Sequence, residues 1–357
     1  MKKEDFLCAF MVVASIPVFG QHPDFVPPKD IPRNIIIIMA NGMGTNQITA
    51  ASIKKGAPLS FSRFPVMGLV QPFAGKSGIP DDSCTANAVA TNLTARNAAT
   101  NPASTPTKTL FDWAKEKKMT TGLITTGTVT GETPKFFLLD KPYGKDDEAL
   151  ALDYLTSGFN MLMGGGSRYF DRRYDGRSLL TEFSLKGYKL ENNLNKVGDI
   201  MIPKTLAIVA KNSLFSASER KDFLTKSLVN TARIMNNPDG YVLVVNDTKI
   251  EEADTLNNTQ YLTEEMLDLD KAVSALYQQA GGETLIIVLG NFEAGGLTIK
   301  DTKSNKKNDP DVSWNAKTPT ACLAPIFAMG PGSSAFTGIY NQTDIYAKLE
   351  AMMQKRR

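Results

Sequence analysis

The chain has 357 residues, of which 42% are hydrophobic and 22% are charged, values that are ordinary for a globular protein. A formal net charge of +3 is too small to indicate a nucleic-acid-binding protein or a protein that binds a membrane surface. The chain is long enough to bury a large core and no linker clearly divides it, so we expect one domain over residues 34–357.

Residues 1–20 have the pattern of a secretory signal peptide. Two lysines near the start precede an apolar run, Phe6 to Phe19, that is too short to span a bilayer comfortably, and Gly20 is a small residue at its end. A buried N-terminal element is the alternative interpretation. Residues 21–33 are Pro-rich and polar, which predicts an extended arm, and they contain the one histidine, His22. We therefore expect an exported protein, periplasmic or extracellular, without stable membrane insertion.

After the arm, short apolar runs alternate with helical stretches. The first run, Asn34–Ala40, is continuous and rich in isoleucine, as expected for a strand buried on both faces. Further strand candidates are Thr121–Thr125, Met161–Met163, Leu206–Ala210, Tyr241–Val245, Leu285–Leu289 and Pro325–Met329. Helix candidates are Gln47–Lys55, Leu110–Lys117, Asp146–Thr156, Ser218–Met235, Leu262–Gln279 and Asp344–Gln354. This alternation predicts an α/β fold with a mainly parallel central sheet and helices on both faces.

In such a sheet the functional residues lie in the loops that follow the carboxyl ends of the strands. In this chain those ends are Asn41, residues 126–133, residues 246–251, residues 290–293 and the loop around Thr318. We therefore expect the functional site at this edge of the sheet.

An ordered series of motifs resembles the alkaline phosphatase family. The first covers residues 34–51, in which a strand is followed by Asn-Gly-Met-Gly and a helix, where the family has Gly-Asp-Gly-Met-Gly. The later motifs are Ala86–Thr91, Thr121–Thr126, Thr133-Pro134, Phe159–Phe170, Gly240–Val245, Glu283–Val288, Gly295–Leu297 and Phe327–Gly332. The resemblance covers nearly everything after residue 33, and it implies the family's fold.

The family's reaction uses two zinc ions to bind phosphate, to activate a serine and then a water, and to stabilise the leaving oxygen, with magnesium beside them. By the resemblance, the first metal aspartate falls at Asn41 and the metal glutamate falls at Asn246. The family's Asp-His pair falls at Asn291 and Phe292, and a phenylalanine cannot bind a metal ion.

The remaining ligand positions are mixed. Thr133 keeps the threonine of the magnesium site, although its usual acidic or histidine neighbour is Gly131, and Glu251 keeps a carboxylate in place of an aspartate. Two zinc histidines fall at Thr255 and at Pro319, or near Lys317 if the loop has shifted. The resemblance therefore implies that most metal ligands are lost.

The nucleophile has two possible registers. Without a gap, the family's Asp-Ser pair falls at Asp81-Asp82, which makes Asp82 the nucleophile position. With a one-residue deletion the pair is Asp82-Ser83. The ungapped count is preferred. The family's phosphate-binding arginine falls near Gly144, where Lys145 is the neighbouring basic residue.

Three of these positions change from carboxylate to asparagine: Asn41, Asn246 and Asn291. Carboxylates around an empty metal site repel one another and are costly to bury, whereas amides of the same shape are not charged. The pattern favours a non-catalytic family member that binds no cofactor and keeps a folded pocket for binding or assembly.

Two other hypotheses remain. In the first, Asp82 or Ser83 attacks a phosphoester with the help of one hard cation, magnesium or calcium, held weakly by oxygen ligands. The ligands would be Asp81, Thr133, Glu251 and Glu293. In the second, the chain has a structural role, as a homodimer or paired with a paralogue. The small-molecule ligand, if there is one, is not indicated by the sequence, and nucleic acid is not expected as a partner.

The resemblance also places Cys84 and Cys322 on either side of the former active site. We expect either a disulfide that links the two sides of the pocket or two small buried thiols.

Overall fold

The computed structural model describes residues 31–72, 78–91, 108–139, 146–301 and 308–356. The expected signal peptide, most of the arm and Lys145 lie outside these ranges. None of the helices within them combines the length and the apolar composition that a bilayer-spanning segment needs.

The described residues form thirteen strands, eleven of which belong to one sheet. The strands are β1 (Asn34–Gly42), β2 (Val66–Gln71), β3 (Thr120–Thr128), β4 (Met161–Gly165), β5 (Lys189–Glu191), β6 (Thr205–Ala210), β7 (Tyr241–Asp247), β8 (Thr284–Ala294), β9 (Thr298–Asp301), β10 (Asp311–Ser313), β11 (Pro319–Thr320), β12 (Ala324–Met329) and β13 (Gly338–Asn341). Each of the predicted strand segments is present.

The large sheet has the strand order β13-β2-β12-β8-β1-β7-β3-β4-β6-β5, and the short β11 pairs with β8. Only β12 and β11 make antiparallel pairs within it, whereas the other pairings are parallel. The expected mainly parallel sheet is therefore confirmed, and β9 with β10 forms a separate antiparallel ribbon.

The described helices are α1 (Thr45–Lys55), α2 (Asp82–Thr91), α3 (Leu110–Glu116), α4 (Glu132–Leu138), α5 (Asp147–Ser157), α6 (Arg168–Asp171), α7 (Leu179–Leu185), α8 (Ala217–Arg220), α9 (Phe223–Ile234), α10 (Lys249–Thr255), α11 (Thr259–Gln279) and α12 (Thr343–Gln354). Short 3₁₀ segments cover Ser60–Arg63, Leu194–Asp199 and Ser333–Phe336.

The central strand β1 is buried along its whole length, and its alternate side chains enter two different cores. Ile35 and Ile37 contribute to a core covered by α2 to α7 and α12. Ile36 and Ile38 contribute to a core covered by α1, α9, α10 and α11. Burial on both faces explains why this segment is a continuous apolar run rather than an alternating one, and it confirms the predicted helices on both faces.

One predicted helix is divided. The single helix expected from Ser218 to Met235 is interrupted after Arg220, and α9 begins only at Phe223. At the junction Lys221 has φ of 52° and ψ of −129°, a conformation that residues with a Cβ rarely adopt. The expectation of one continuous helix was wrong because helical periodicity does not report a local reversal of the backbone.

We expect Lys221→Gly to stabilise the protein by about 1 kcal/mol, because the left-handed backbone strain at this residue exceeds the extra freedom that glycine gives the unfolded chain. The measurement is the free energy of unfolding in urea. The matched control is Lys226→Gly, which lies inside α9 and should destabilise by about 1 kcal/mol. Equal destabilisation by both substitutions would contradict the assignment of strain to Lys221.

Candidate functional site

Three asparagines meet at the carboxyl ends of three adjacent strands. Asn41 is the penultimate residue of the central strand β1, Asn246 lies in β7 and Asn291 lies in β8. The strand β1 pairs with both β7 and β8. All three side chains are buried, with at most 1% of each residue exposed. Parallel pairing aligns the strand ends, so residues far apart in sequence face one another here.

The Asn41 amide oxygen accepts hydrogen bonds from both of the other asparagines. Asn246 Nδ2 lies 3.3 Å from Asn41 Oδ1, and Asn291 Nδ2 lies 3.1 Å from the same oxygen. The positions at which the sequence predicts lost metal carboxylates are therefore joined directly to one another by side-chain hydrogen bonds. We call these three residues the asparagine network.

Buried polar neighbours fix the orientation of each outer amide. Gln342 Nε2 donates to Asn291 Oδ1 over 2.7 Å, so Asn291 must present its amino group to Asn41 and to Thr85 Oγ1, which is 2.8 Å away. On the other side, Thr125 Oγ1 donates to Asn246 Oδ1 over 3.3 Å. No sequence motif indicated Gln342, because it lies in a loop before α12, 51 residues from Asn291.

The amino group of Asn41 faces two carboxylates. Asn41 Nδ2 lies 3.4 Å from Glu251 Oε2, and the Asn41 amide also favours the charged form of the neighbouring Asp82. Asp82 accepts a hydrogen bond from Thr133 Oγ1 at 3.1 Å. The structure thus brings Asp82, Thr133 and Glu251 together with the asparagine network. The amides and Thr133 are uncharged hydrogen-bond donors that surround the two acids, Asp82 and Glu251.

The residues at the two nucleophile registers have different surroundings. Asp81 is exposed and caps α2, because its Oδ1 accepts a hydrogen bond from the Cys84 backbone N–H over 2.7 Å. Asp82 is the residue that contacts Asn41 and Thr133. Ser83 is partly buried and forms no side-chain hydrogen bond with the described residues. Of the two candidates, Asp82 is therefore the one that lies beside Thr133.

The ionised forms of both carboxyl groups at the site are disfavoured. Burial, followed by the negative charge of Glu132, raises the pKa of Asp82 to about 6. Burial, followed by the charge of Asp82, raises the pKa of Glu251 to about 7. The two acids therefore repel each other, and the hydrogen bonds from Asn41 offset only part of this cost.

Two further buried acids lie beyond Glu251. The Glu293 carboxylate accepts hydrogen bonds from Gln47 Nε2, at 2.8 Å, and from Thr320 Oγ1. Asp254 is fully buried, and burial followed by the charge of Glu293 raises its pKa well above the usual range. Sequence reasoning missed Asp254; its position on the apolar face of α10, next to Ala253, was the available signal.

The other positions that the resemblance maps onto residues of the metal sites carry side chains unsuited to binding zinc. Phe292 is fully buried and pairs with Asn41 in the sheet register. Thr255 donates its hydroxyl to the Glu252 carbonyl within its own helix, and Pro319 is part of β11. Gly131 precedes α4 as its N-cap.

Within the described ranges, no three acidic, cysteine or histidine side chains are grouped so that they could hold a metal ion. The oxygens that the sequence suggests for a hard cation are separately engaged: Asp81 caps a helix, Thr133 donates to Asp82, and Glu293 is bonded to Gln47 and Thr320. Amides, one threonine and a phenylalanine do not match the nitrogen and carboxylate ligands that zinc prefers. The residues present do not fit the family's zinc ions.

The expected disulfide does not form. Cys84 and Cys322 are not joined to each other: Cys84 is buried in α2, whereas Cys322 is exposed in the loop after β11. The alternative expectation of two buried thiols holds for Cys84 only.

Known proteins resemble this chain in sequence and fold. Residues 32–308 match the family model for alkaline phosphatase. Alkaline phosphatase 3 of Bacillus subtilis is 27% identical over 293 residues, which cover 76% of this chain and 63% of that relative, so the match spans slightly less than two thirds of the relative's length. Alkaline phosphatase H of Pseudomonas aeruginosa is 23% identical, over 91% of this chain and 86% of the relative.

Solved structures agree in fold. Alkaline phosphatase from the Antarctic bacterium TAB5 superposes with a TM-score of 0.81 at 22% identity, over 92% of this chain and all of the other. A mutant of that enzyme in which one histidine is replaced by aspartate carries magnesium in its M3 site. The enzyme from Thermus thermophilus gives a TM-score of 0.80 at 19% identity, over 92% of this chain and 93% of the other. From the family match over most of its length, this chain belongs to the alkaline phosphatase family.

Proposed function

We propose that this chain is an exported family member that does not hydrolyse phosphoesters and that uses its pocket for binding or assembly. One observation carries the proposal: Asn41 Oδ1 accepts hydrogen bonds from both Asn246 and Asn291. The side chains at positions that hold metal ligands in the family are here joined to one another by hydrogen bonds.

The direction of these hydrogen bonds supports the absence of metal. A metal ligand must present a lone pair to the ion, but Asn41 turns its amino group toward Asp82 and Glu251. A bound cation at that position would face N–H groups, which repel it. Amide N–H groups therefore face the carboxylates at the positions where the family has metal ions. These groups belong to the chain itself and, unlike a metal ion, cannot dissociate.

The charge around Asp82 also argues against phosphate as a ligand. The charges with the largest effect on its pKa, Glu132 and Asp81, are both negative. Glu132 is bonded to Lys135 over 2.7 Å, which engages the adjacent cation. A phosphomonoester carries about two negative charges at neutral pH. It would meet like charge here, and within the described ranges Asp82 forms no ion pair with a cation that could stabilise the charge developing in its attack.

The second candidate function is residual hydrolysis by Asp82 with one weakly held hard cation. It is favoured by the hydrogen bond from Thr133 to Asp82, because the family's magnesium threonine and the nucleophile position are adjacent. Self-association or pairing with a paralogue is the form of assembly that we propose for the inactive protein. The export proposal rests on the signal-like pattern of residues 1–20.

The deciding experiment is elemental analysis of the purified mature protein after incubation with zinc and magnesium and removal of free metal. We expect less than stoichiometric metal and no hydrolysis of p-nitrophenyl phosphate above the rate without protein. A metal-replete alkaline phosphatase treated in the same way is the positive control. Tightly held zinc together with activity that a chelator removes would overturn the proposal, whereas magnesium-dependent activity lost in Asp82→Asn would support the second candidate.

We expect Asn41→Asp to lower the free energy of unfolding by about 2 kcal/mol in metal-free buffer, because it places a third carboxylate against Asp82 and Glu251. Added magnesium should recover part of this loss. Urea unfolding with and without magnesium makes the measurement. Asn195→Asp, an exposed substitution with the same charge change, is the control. An Asn41→Asp protein that is as stable as the parent would contradict the network's role.

Stability should fall as the pH rises through the range in which the site carboxyl groups ionise. Above about pH 4 the unfolded chain releases protons that folded Asp82 and Glu251 retain until about pH 6 and pH 7. Their contribution is therefore fully present at low pH and lost by about pH 8. We expect Asp82→Asn with Glu251→Gln to reduce the stability difference between about pH 4.5 and about pH 8 by on the order of 5 kcal/mol, of which about 2 kcal/mol comes from Asp82 and about 3 kcal/mol from Glu251. An unchanged difference would refute the shifted pKa values.

A further inference from the structure

The outer edge of the sheet, at β5, leaves large apolar side chains in water. Leu185 at the end of α7 is 83% exposed, and Met201 and Ile202 in the loop before β6 are 69% and 51% exposed. Single exposed apolar residues are ordinary, but neighbouring ones mark an interaction surface.

Contacts among their neighbours show that these three side chains share one surface. Lys204 Nζ donates to the Lys186 carbonyl over 2.6 Å, which joins the end of α7 to the start of β6. A groove of about 280 Å³ is lined by Lys189, Met201 and Ile202 together with their neighbours.

The same surface is basic. Five cations lie on it: Lys186, Lys189, Lys196, Lys204 and Arg233, whose Nη2 is 3.8 Å from Met201 Sδ. None of the five forms an ion pair with any residue that the structure describes. Together with the three apolar side chains, these cations define what we call the β5 edge surface.

The groove also carries negative charge. It is lined by the carboxylates Glu191 and Asp199, which equal in number its two lysines, Lys189 and Lys196. Glu191 accepts hydrogen bonds from the backbone N–H groups of Asn192 and Asn193. The positive charge of the β5 edge surface therefore comes from the three cations beside the groove, Lys186, Lys204 and Arg233.

We propose that the β5 edge surface adsorbs peripherally to an anionic lipid bilayer. Leu185, Met201 and Ile202 would enter the headgroup region, while the lysines lie along the surface and keep their ammonium groups at the lipid phosphates. This combination of protruding apolar tips with unpaired cations is complementary to a bilayer that has an apolar interior under a negative surface. It requires no membrane-spanning segment.

A nucleic acid is the less suitable partner. Phosphate backbones engage the cations but leave protruding apolar side chains in water, and base stacking needs exposed aromatic rings. The aromatic ring in this region, Tyr188, is buried beneath Lys204, whose Nζ is 5.0 Å from the ring centre. The exposed apolar side chains Leu185, Met201 and Ile202 therefore favour a lipid bilayer over a nucleic acid.

The test is co-sedimentation of the mature protein with phosphatidylcholine vesicles that do or do not contain phosphatidylglycerol. We expect binding only to the vesicles with phosphatidylglycerol, and weaker binding as salt increases. Leu185→Ser with Met201→Ser and Ile202→Ser should abolish sedimentation. A triple Lys→Gln variant at 186, 189 and 204 should weaken binding by about fivefold for each lysine removed.

The matched control is a triple Lys→Gln variant at three exposed lysines outside this surface, Lys300, Lys317 and Lys355, with the same change in net charge. We expect its vesicle binding to match that of the parent. Equal losses in the two lysine variants, equal binding to neutral vesicles, or binding to DNA but not to vesicles would each overturn the proposal. Unfolding curves of the variants confirm that they are folded. The result does not depend on whether the asparagine network binds metal.

Discussion

The hydrogen bonds that converge on the Asn41 amide oxygen constrain the rest of the site. They require Asn246 and Asn291 to present amino groups, which their partners Thr125 and Gln342 enforce by donating to the opposite oxygens. They also leave the Asn41 amino group for the carboxylates. One polar chain thus runs across three buried strand ends, and each amide in it has a single satisfactory orientation.

The fold could be predicted from the sequence because strands that are buried on both faces consist of continuous apolar runs. The isoleucine run of β1 and the later apolar runs mark the strands of the parallel core. The break at Lys221 was not readable, because it depends on one residue's backbone conformation. The choice between a disulfide and two buried thiols could not be made from the sequence. The family resemblance places Cys84 and Cys322 near one site but does not fix their side chains, one of which is buried and the other exposed.

The sequence indicates which asparagines lie close together at the site, but it does not indicate the hydrogen bonds that they form. Strand register brings Asn41, Asn246 and Asn291 together, so their proximity follows from the topology. Which amide atom faces which neighbour depends on Gln342, from a distant loop, and on Asp82 at the start of α2. Such contacts carry no periodicity, so a pattern of apolar and polar residues does not reveal them.

The residue that follows Asn41 is Gly42, with φ of 90°. Asn-Gly is the dipeptide in which the next backbone nitrogen most readily attacks the side-chain carbonyl, and hydrolysis of the resulting succinimide yields aspartate or isoaspartate. In the folded chain the Asn41 amide is held by its hydrogen bonds inside β1, which slows this ageing reaction. Folding therefore protects Asn41 from deamidation. Each time the chain unfolds, Asn41 can convert to a residue with a carboxylate, and the pocket would then contain a carboxylate where its hydrogen bonds require an amide.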